Sequence, residues 1–288
     1  MANRWLGRGE PALDHRTNPV SSESYVNTCY GYSEFDGQPL RGRVRSRPVS
    51  NGSGLVLLLD FDGTVSLGDG PVLAYAQRAF ADLPADRRVT AQDRLEAFLA
   101  GDPDLVRRYA DGYGCVRDQV IDQVSAEQLS AAYLDSRRRL ATEDLGTYPA
   151  DGIAELLTEL DGVATRVVLT NSPAVGVVES LQRFGLSGLL DEVIVGAHKP
   201  HRMAEHLDAL TAGRRPEMLI SVGDHWANDL AVPLERGCAT ALVSRHPRTD
   251  EPAHLHGRDL ADLAPGILDW AQDPAGFIEL HRPIALPA

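Results

Sequence analysis

Five short runs of almost unbroken apolar residues constrain this chain more than any other feature. They are LVLLLD at 55–60, TRVVLT at 165–170, EVIVG at 192–196, EMLISVGD at 217–224 and ATALVS at 239–244. Such runs resemble strands buried on both faces. Helical stretches lie between the later ones. VGVVESLQRFGL follows the second run, with Pro173 near its start and Gly185 near its end. RMAEHLDALTAG follows the third run and ANDLAVPLERG the fourth. Strands and helices in alternation predict an α/β fold, a Rossmann-like parallel sheet with helices on both faces.

One interval breaks the alternation. About 100 residues separate the first run from the second. Much of that interval reads as helix: VLAYAQRAFADL (72–83), AQDRLEAFLAG (91–101), DLVRRYADG (104–112) and AEQLSAAYLDSRRRL (126–140). A compact domain does not carry an unstructured loop of that length. Residues 70–147 are therefore expected to form an inserted α-helical cap domain, with 54–69 and 148–272 as the sheet-containing core. GRDLADLAPGILDW (257–270) reads as a closing helix and 273–288 as a C-terminal tail. Residues 1–53, rich in Ser, Asn, Gly, Arg and Pro, read as a weakly ordered N-terminal extension. Within it Arg41, Arg43, Arg45 and Arg47 alternate, and an extended backbone would point all four the same way. A solvated linker or a contact with an anion or partner would account for them.

The formal net charge of -13 argues against nucleic acid and anionic membranes as partners, since both repel such a chain. No apolar run approaches the ~18–20 residues of a membrane span, and MANRWLGRGEPALDHR has no apolar leader core. Cys29, Cys115 and Cys238 are far apart with no C-x-x-C spacing, as expected of passive, reduced thiols. A cytoplasmic location is expected.

Open parallel sheets bind ligands beyond the carboxyl ends of their strands. Polar residues collect there in this sequence. Asp60 closes the first run and Asp62 follows two positions later, with Gly63 allowing a sharp exit. Thr170 ends the second run, in LTNSP; Lys199 follows the third, in GAHKP; Asp224 ends the fourth, with Asp229 five residues on, in GDHWAND. Four carboxylates, a hydroxyl and an ammonium on one sheet edge suit phosphoryl transfer with Mg²⁺, a hard cation that takes carboxylate and phosphate oxygens. One aspartate could serve as nucleophile and a second as proton donor to the leaving alkoxide.

The set DFDGT, LTNS, HKP and GDHWAND resembles the four motifs of the haloacid dehalogenase superfamily, in its phosphatase branch, over about residues 54–272. The helical insert resembles that superfamily's cap between the first and second motifs. The resemblance implies Asp60 as the nucleophile that becomes phospho-aspartate and Asp62 as general acid, then base. It implies Thr170, Asn171 and Lys199 as phosphate-binding residues. It implies Mg²⁺ held by Asp60, the backbone carbonyl of Asp62 and Asp224, with Asp229 close by. In the family's dehalogenases the position two after the nucleophile is not aspartate, so Asp62 points to phosphate esters. The phosphonate-cleaving members carry a cap lysine, and residues 70–147 contain none.

Candidate substrate contacts are Arg107, Tyr113 and Arg117 around the Gly112-Tyr113-Gly114 turn of the cap, and His225 after Asp224. The consecutive Arg137, Arg138 and Arg139 cannot share a helix face, and most are expected at the surface. The expected function is an Mg²⁺-dependent phosphatase acting on a small phosphorylated metabolite. The alternatives are a sugar phosphomutase with the same motifs and a non-catalytic phosphate-binding regulator. The sequence leaves substrate and oligomeric state open.

Overall fold

The computed structural model describes residues 54–246 and 251–284, and the backbone of three short strands before them. Those three are β1 (Glu34–Phe35), β2 (Gln38–Pro39) and β3 (Gly42–Arg45). The remaining strands are β4 (Leu55–Leu59), β5 (Ser66–Leu67), β6 (Tyr148–Pro149), β7 (Ala164–Leu169), β8 (Glu192–Val195), β9 (Leu219–Gly223), β10 (Ala239–Val243) and β11 (Leu255–Gly257). The main sheet has the order β11-β10-β9-β4-β7-β8-β3. All neighbours in it are parallel except β3, which runs antiparallel to β8.

Why β4 is apolar throughout follows from its central place. Leu55, Leu57 and Leu59 face one helical layer, where they join Ile153, Leu157, Leu181, Ile267 and Trp270. Val56 and Leu58 face the other, with Met203, Leu207 and Leu210. Side chains alternate across a strand, so burial on both faces demands apolar residues at every position. The covering helices are α6 (Ile153–Glu159), α7 (Ala174–Arg183), α8 (Met203–Thr211) and α11 (Leu260–Gln272). The short α9 (Trp226–Asp229) and α10 (Ala231–Glu235) link β9 to β10.

The insert is helical, as its periodicity predicts. It comprises α1 (Gly70–Ala79), α2 (Ala85–Leu99), α3 (Pro103–Arg108), α4 (Gly112–Val120) and α5 (Ala126–Thr142). It has its own core, built on Tyr75, Phe80, Leu95, Phe98, Val116 and Leu129. The chain leaves and re-enters the main domain side by side, because β5 pairs antiparallel with β6. Helix α5 starts with a reciprocal cap in which Ser125 and Gln128 each accept the other's backbone N–H. Its first half packs in the cap core through Leu129, Ala132 and Tyr133. Its second half carries the fully buried Ser136, Arg137 and Leu140 and packs on α7 of the main domain.

Three segments depart from the expected boundaries. Gly42–Arg45, expected within a weakly ordered extension, adds a seventh strand to the sheet; Glu34–Phe35 and Gln38–Pro39 of the same extension pair antiparallel, and its other residues lie outside the described residues. Leu255–Gly257 adds a strand beyond β10. The expected C-terminal tail contains α12 (Pro274–Leu280), whose Phe277 is buried in the main core and stacks on His281. Pro274 at the helix start and the Asp273 carboxylate on the Gly276 N–H explain why a helix forms there.

Phe277→Ala is expected to cost about 3 kcal/mol, the loss typical of a buried aromatic. Leu280→Ala, on a residue 82% exposed, should stay within about 0.5 kcal/mol. Urea unfolding of the two variants against the parent chain checks this.

Candidate active site

The carboxyl end of β4 lies between β7 and β9, so its exit loop meets the ends of both neighbours. Asp60 is held there by its backbone N–H on the Val222 carbonyl, 2.9 Å. The chain then turns sharply, with the Val65 and Ser66 N–H groups both donating to the Phe61 carbonyl. Gly63 sits in this turn with φ 86°, and a Cβ there would collide with Asp224 Oδ2. Glycine is thus what lets the loop after β4 lie against the carboxylate after β9.

Lys199 reaches the same point from the loop after β8. Its Nζ donates to Asp60 Oδ1 at 2.7 Å and to Asp229 Oδ1 at 2.6 Å, and its side chain is 3% exposed. Burial alone would depress this ammonium. The Asp229 and Asp60 carboxylates offset that and hold it above the ordinary lysine range. The loop is clasped by Asn171: its Nδ2 donates to the Lys199 carbonyl and its Oδ1 accepts the Lys199 N–H, 3.0 and 2.7 Å. Asn171, expected to bind phosphate, clasps the Lys199 loop with its side chain and also lines the cleft.

Asp60, Asp224 and Asp229 each bring a carboxylate oxygen within 4.8 Å of the others. Burial, with the neighbouring Asp229 and Asp62 charges, pushes the Asp60 carboxyl up to about 7, against the pull of Lys199. Burial and the Asp60 charge hold Asp224 well above the usual carboxylate range as well. Clustered acids whose ionised forms are this disfavoured are the donor set that a hard divalent cation relieves. Asp229 also accepts the His225 N–H on Oδ2 at 3.1 Å, which fixes the loop after β9.

Asp62 faces the cap. Its Oδ1 accepts from Arg137 Nη1 at 2.9 Å and its Oδ2 from Ser172 Oγ at 2.6 Å. Ser172 Oγ in turn lies 2.9 Å from the Tyr133 hydroxyl. Its N–H donates to Thr170 Oγ1, which places that buried hydroxyl at the end of β7. Arg137, expected among surface arginines, is fully buried and paired with Asp62. Ser172, Tyr133 and Arg137 are residues of the site that the motif reading did not single out. The helical period could have found Arg137, because it continues the buried stripe of Leu129, Tyr133 and Ser136.

These groups line a cleft of about 610 Å³ between cap and main domain, a size suited to a small molecule. Tyr113 and Arg117 line it, as do His225 and Arg107. Tyr113 packs against Tyr75 and Tyr133, with ring centroids 5.4 and 5.5 Å apart. Arg117 is buried, whereas Arg107 is largely exposed and paired with Asp104 on its own helix. His225 also caps α9, its Nδ1 accepting the Asn228 N–H.

No curated protein sequence is significantly similar to this chain. Solved structures share its fold. The putative HAD-hydrolase YfnB from Bacillus subtilis, bound to magnesium, is 17% identical with a TM-score of 0.50, over 73% of this chain and 96% of its own. A predicted phosphoglycolate phosphatase from Haemophilus somnus 129PT is 19% identical with a TM-score of 0.51, over 73% and 96%. A haloacid dehalogenase-like family hydrolase from Xanthomonas campestris is 14% identical with a TM-score of 0.50, over 82% and 99%. Residues 55–232, which contain all four strand-end motifs and the cap, match the family profile of the haloacid dehalogenase-like hydrolases. The chain is a member of that family and a hydrolase.

Proposed function

We propose that this hydrolase cleaves phosphate monoesters of small metabolites through a phospho-aspartate on Asp60. The observation that carries this reading is Asp62. Its carboxylate lines the same cleft as Asp60 and is 31% exposed there. A halide leaves without a proton, whereas an alkoxide needs one, so a carboxyl group beside the nucleophile suits an ester.

In this reading Asp60 attacks phosphorus and Asp62 gives its proton to the departing alkoxide. Water then attacks the acyl phosphate and Asp62 takes a proton from it, leaving free phosphate and Asp60. Thr170 and Lys199, both buried at the cleft floor, supply a hydroxyl and an ammonium to the phosphoryl oxygens. Lys199 also holds Asp60 in place. Asp60, Asp224 and Asp229 are the side chains that would hold Mg²⁺, which when bound neutralises charge on the phosphoryl group.

Asp60→Asn should lower phosphate release from a panel of phosphorylated metabolites by at least about 10³-fold while the fold persists. EDTA should abolish release in the parent chain and Mg²⁺ restore it. A variant that keeps its turnover would remove Asp60 from the nucleophile role.

Thermal stability should report the metal independently of turnover. The folded Asp60 titrates near 7, above its ordinary value of about 4. Between those values the folded chain binds more protons than the unfolded chain, so the metal-free protein loses stability as pH rises through this window. Mg²⁺ competes with those protons. Its stabilisation is therefore expected to be larger at pH 8 than at pH 5.5, read as the rise in Tm at saturating metal.

A further inference from the structure

Asp62 belongs to the main domain in sequence, yet one of its oxygens is held from the cap and the other by a main-domain hydroxyl that the cap contacts. Arg137 donates directly to Oδ1, and Ser172 donates to Oδ2. Ser172 has a single hydroxyl proton. With that proton on the Asp62 carboxylate, its oxygen is left to accept from the Tyr133 hydroxyl at 2.9 Å. Tyr133 and Arg137 are four residues apart on α5, so they project from one helix face. One turn of the cap therefore holds the carboxylate directly at Oδ1, through Arg137, and indirectly at Oδ2, through the Tyr133–Ser172 contact.

We propose that Tyr133 and Arg137 are positioning residues that aim the Asp62 carboxylate for proton transfer, making the acid–base a joint element of cap and main domain. The proposal rests on the phosphatase reading of Asp62. Two further observations support it. Arg137 is fully buried, and its Nε and Nη2 have no hydrogen-bond partner among the described residues, while its Nη1 donates to Asp62. Such a group is costly in a stability role alone, because a buried guanidinium with two nitrogens unmatched in this way is poorly compensated. The fold also makes special room for it. Helix α7 is broken at Val175 and Gly176, and Gly176 has φ 86°. A Cβ at Gly176 would lie 2.8 Å from the Arg137 carbonyl oxygen and 3.4 Å from its Nε. The kink and the missing side chain let α5 approach closely enough for Arg137 to reach Asp62.

The test compares two leaving groups of similar shape, p-nitrophenolate, which needs no proton, and phenolate, which does. Release of each is followed in a single turnover with Mg²⁺, so that only the first chemical step is read. Arg137→Met is expected to slow release from phenyl phosphate about 10²-fold, the scale of a general acid, and to leave p-nitrophenyl phosphate nearly unchanged. Tyr133→Phe, which removes only a hydroxyl, should show the same selectivity at about tenfold. Equal slowing of both substrates would mean a merely structural role and overturn the proposal, as would no effect on either.

A second arm needs no turnover. Asp62→Ala leaves a buried guanidinium unpaired and should lower the urea midpoint. Adding Arg137→Met to that variant should raise the midpoint again. A double variant less stable than Asp62→Ala alone would overturn the coupling. Failure of the phosphatase reading would appear separately, as a parent chain that releases neither phenol although the stability cycle holds.

Discussion

A single buried ammonium organises this molecule's chemistry. Lys199 stands between Asp60 and Asp229 with hydrogen bonds of 2.7 and 2.6 Å. Without it, three clustered carboxylates at the sheet edge would repel one another. Lys199 is also the chain's one lysine, although lysine and arginine together number 28. The chemistry of the two cations explains the choice. A compact ammonium places its charge at one point between two oxygens, whereas the planar guanidinium needs a broader seat. Everything around Lys199 serves its placement: the Asn171 clasp on its backbone, the end of β8, and Asp229 held by the His225 N–H.

Arginine takes the complementary part on the cap side. Arg137 meets Asp62 where a second charge must be balanced, but it arrives from a helix whose other half lies in a separate hydrophobic core. The cleft is therefore not a bowl with a loose cover. Its floor is fixed by the sheet, and the Asp62 carboxylate is held from α5. The aromatic wall of Tyr75, Tyr113 and Tyr133 belongs to the cap, and Tyr133 meets Ser172 of the main domain.

How much of this was legible in the sequence follows from how local each feature is. Asp60, Asp62, Thr170, Lys199, Asp224 and Asp229 sit at or just beyond strand ends, and a parallel sheet brings all its strand ends to one edge. Their convergence could be read once the strands were found. Asn171 was placed near the site, but its side chain answers to the backbone of Lys199, a partner 28 positions away that no local pattern shows. Arg137 was hidden among three arginines. Its helical phase marked it as buried, while the usual rule for charged residues argued for solvent. The strand at Gly42–Arg45 left no apolar signature because an edge strand joins a sheet through backbone hydrogen bonds and need not be buried on both faces. The C-terminal helix was missed because only Phe277 among its residues is buried, too little for a periodic signal.

The pairing of β5 with β6 bears on how the chain assembles. Strands β4 and β7 are neighbours at the centre of the sheet, yet about 100 residues lie between them. Closing a flexible loop of that size costs roughly 4 kcal/mol of chain entropy before any contact between the strands repays it. The intervening helices have a core of their own, so they can condense before the strands meet. Once they have condensed, the β5–β6 pair brings the two ends of the insert together, and the gap between β4 and β7 shrinks to residues 60–65 on one side and 150–163, which include α6, on the other. The domain that covers the cleft is thereby also the splint on which the central strands find each other.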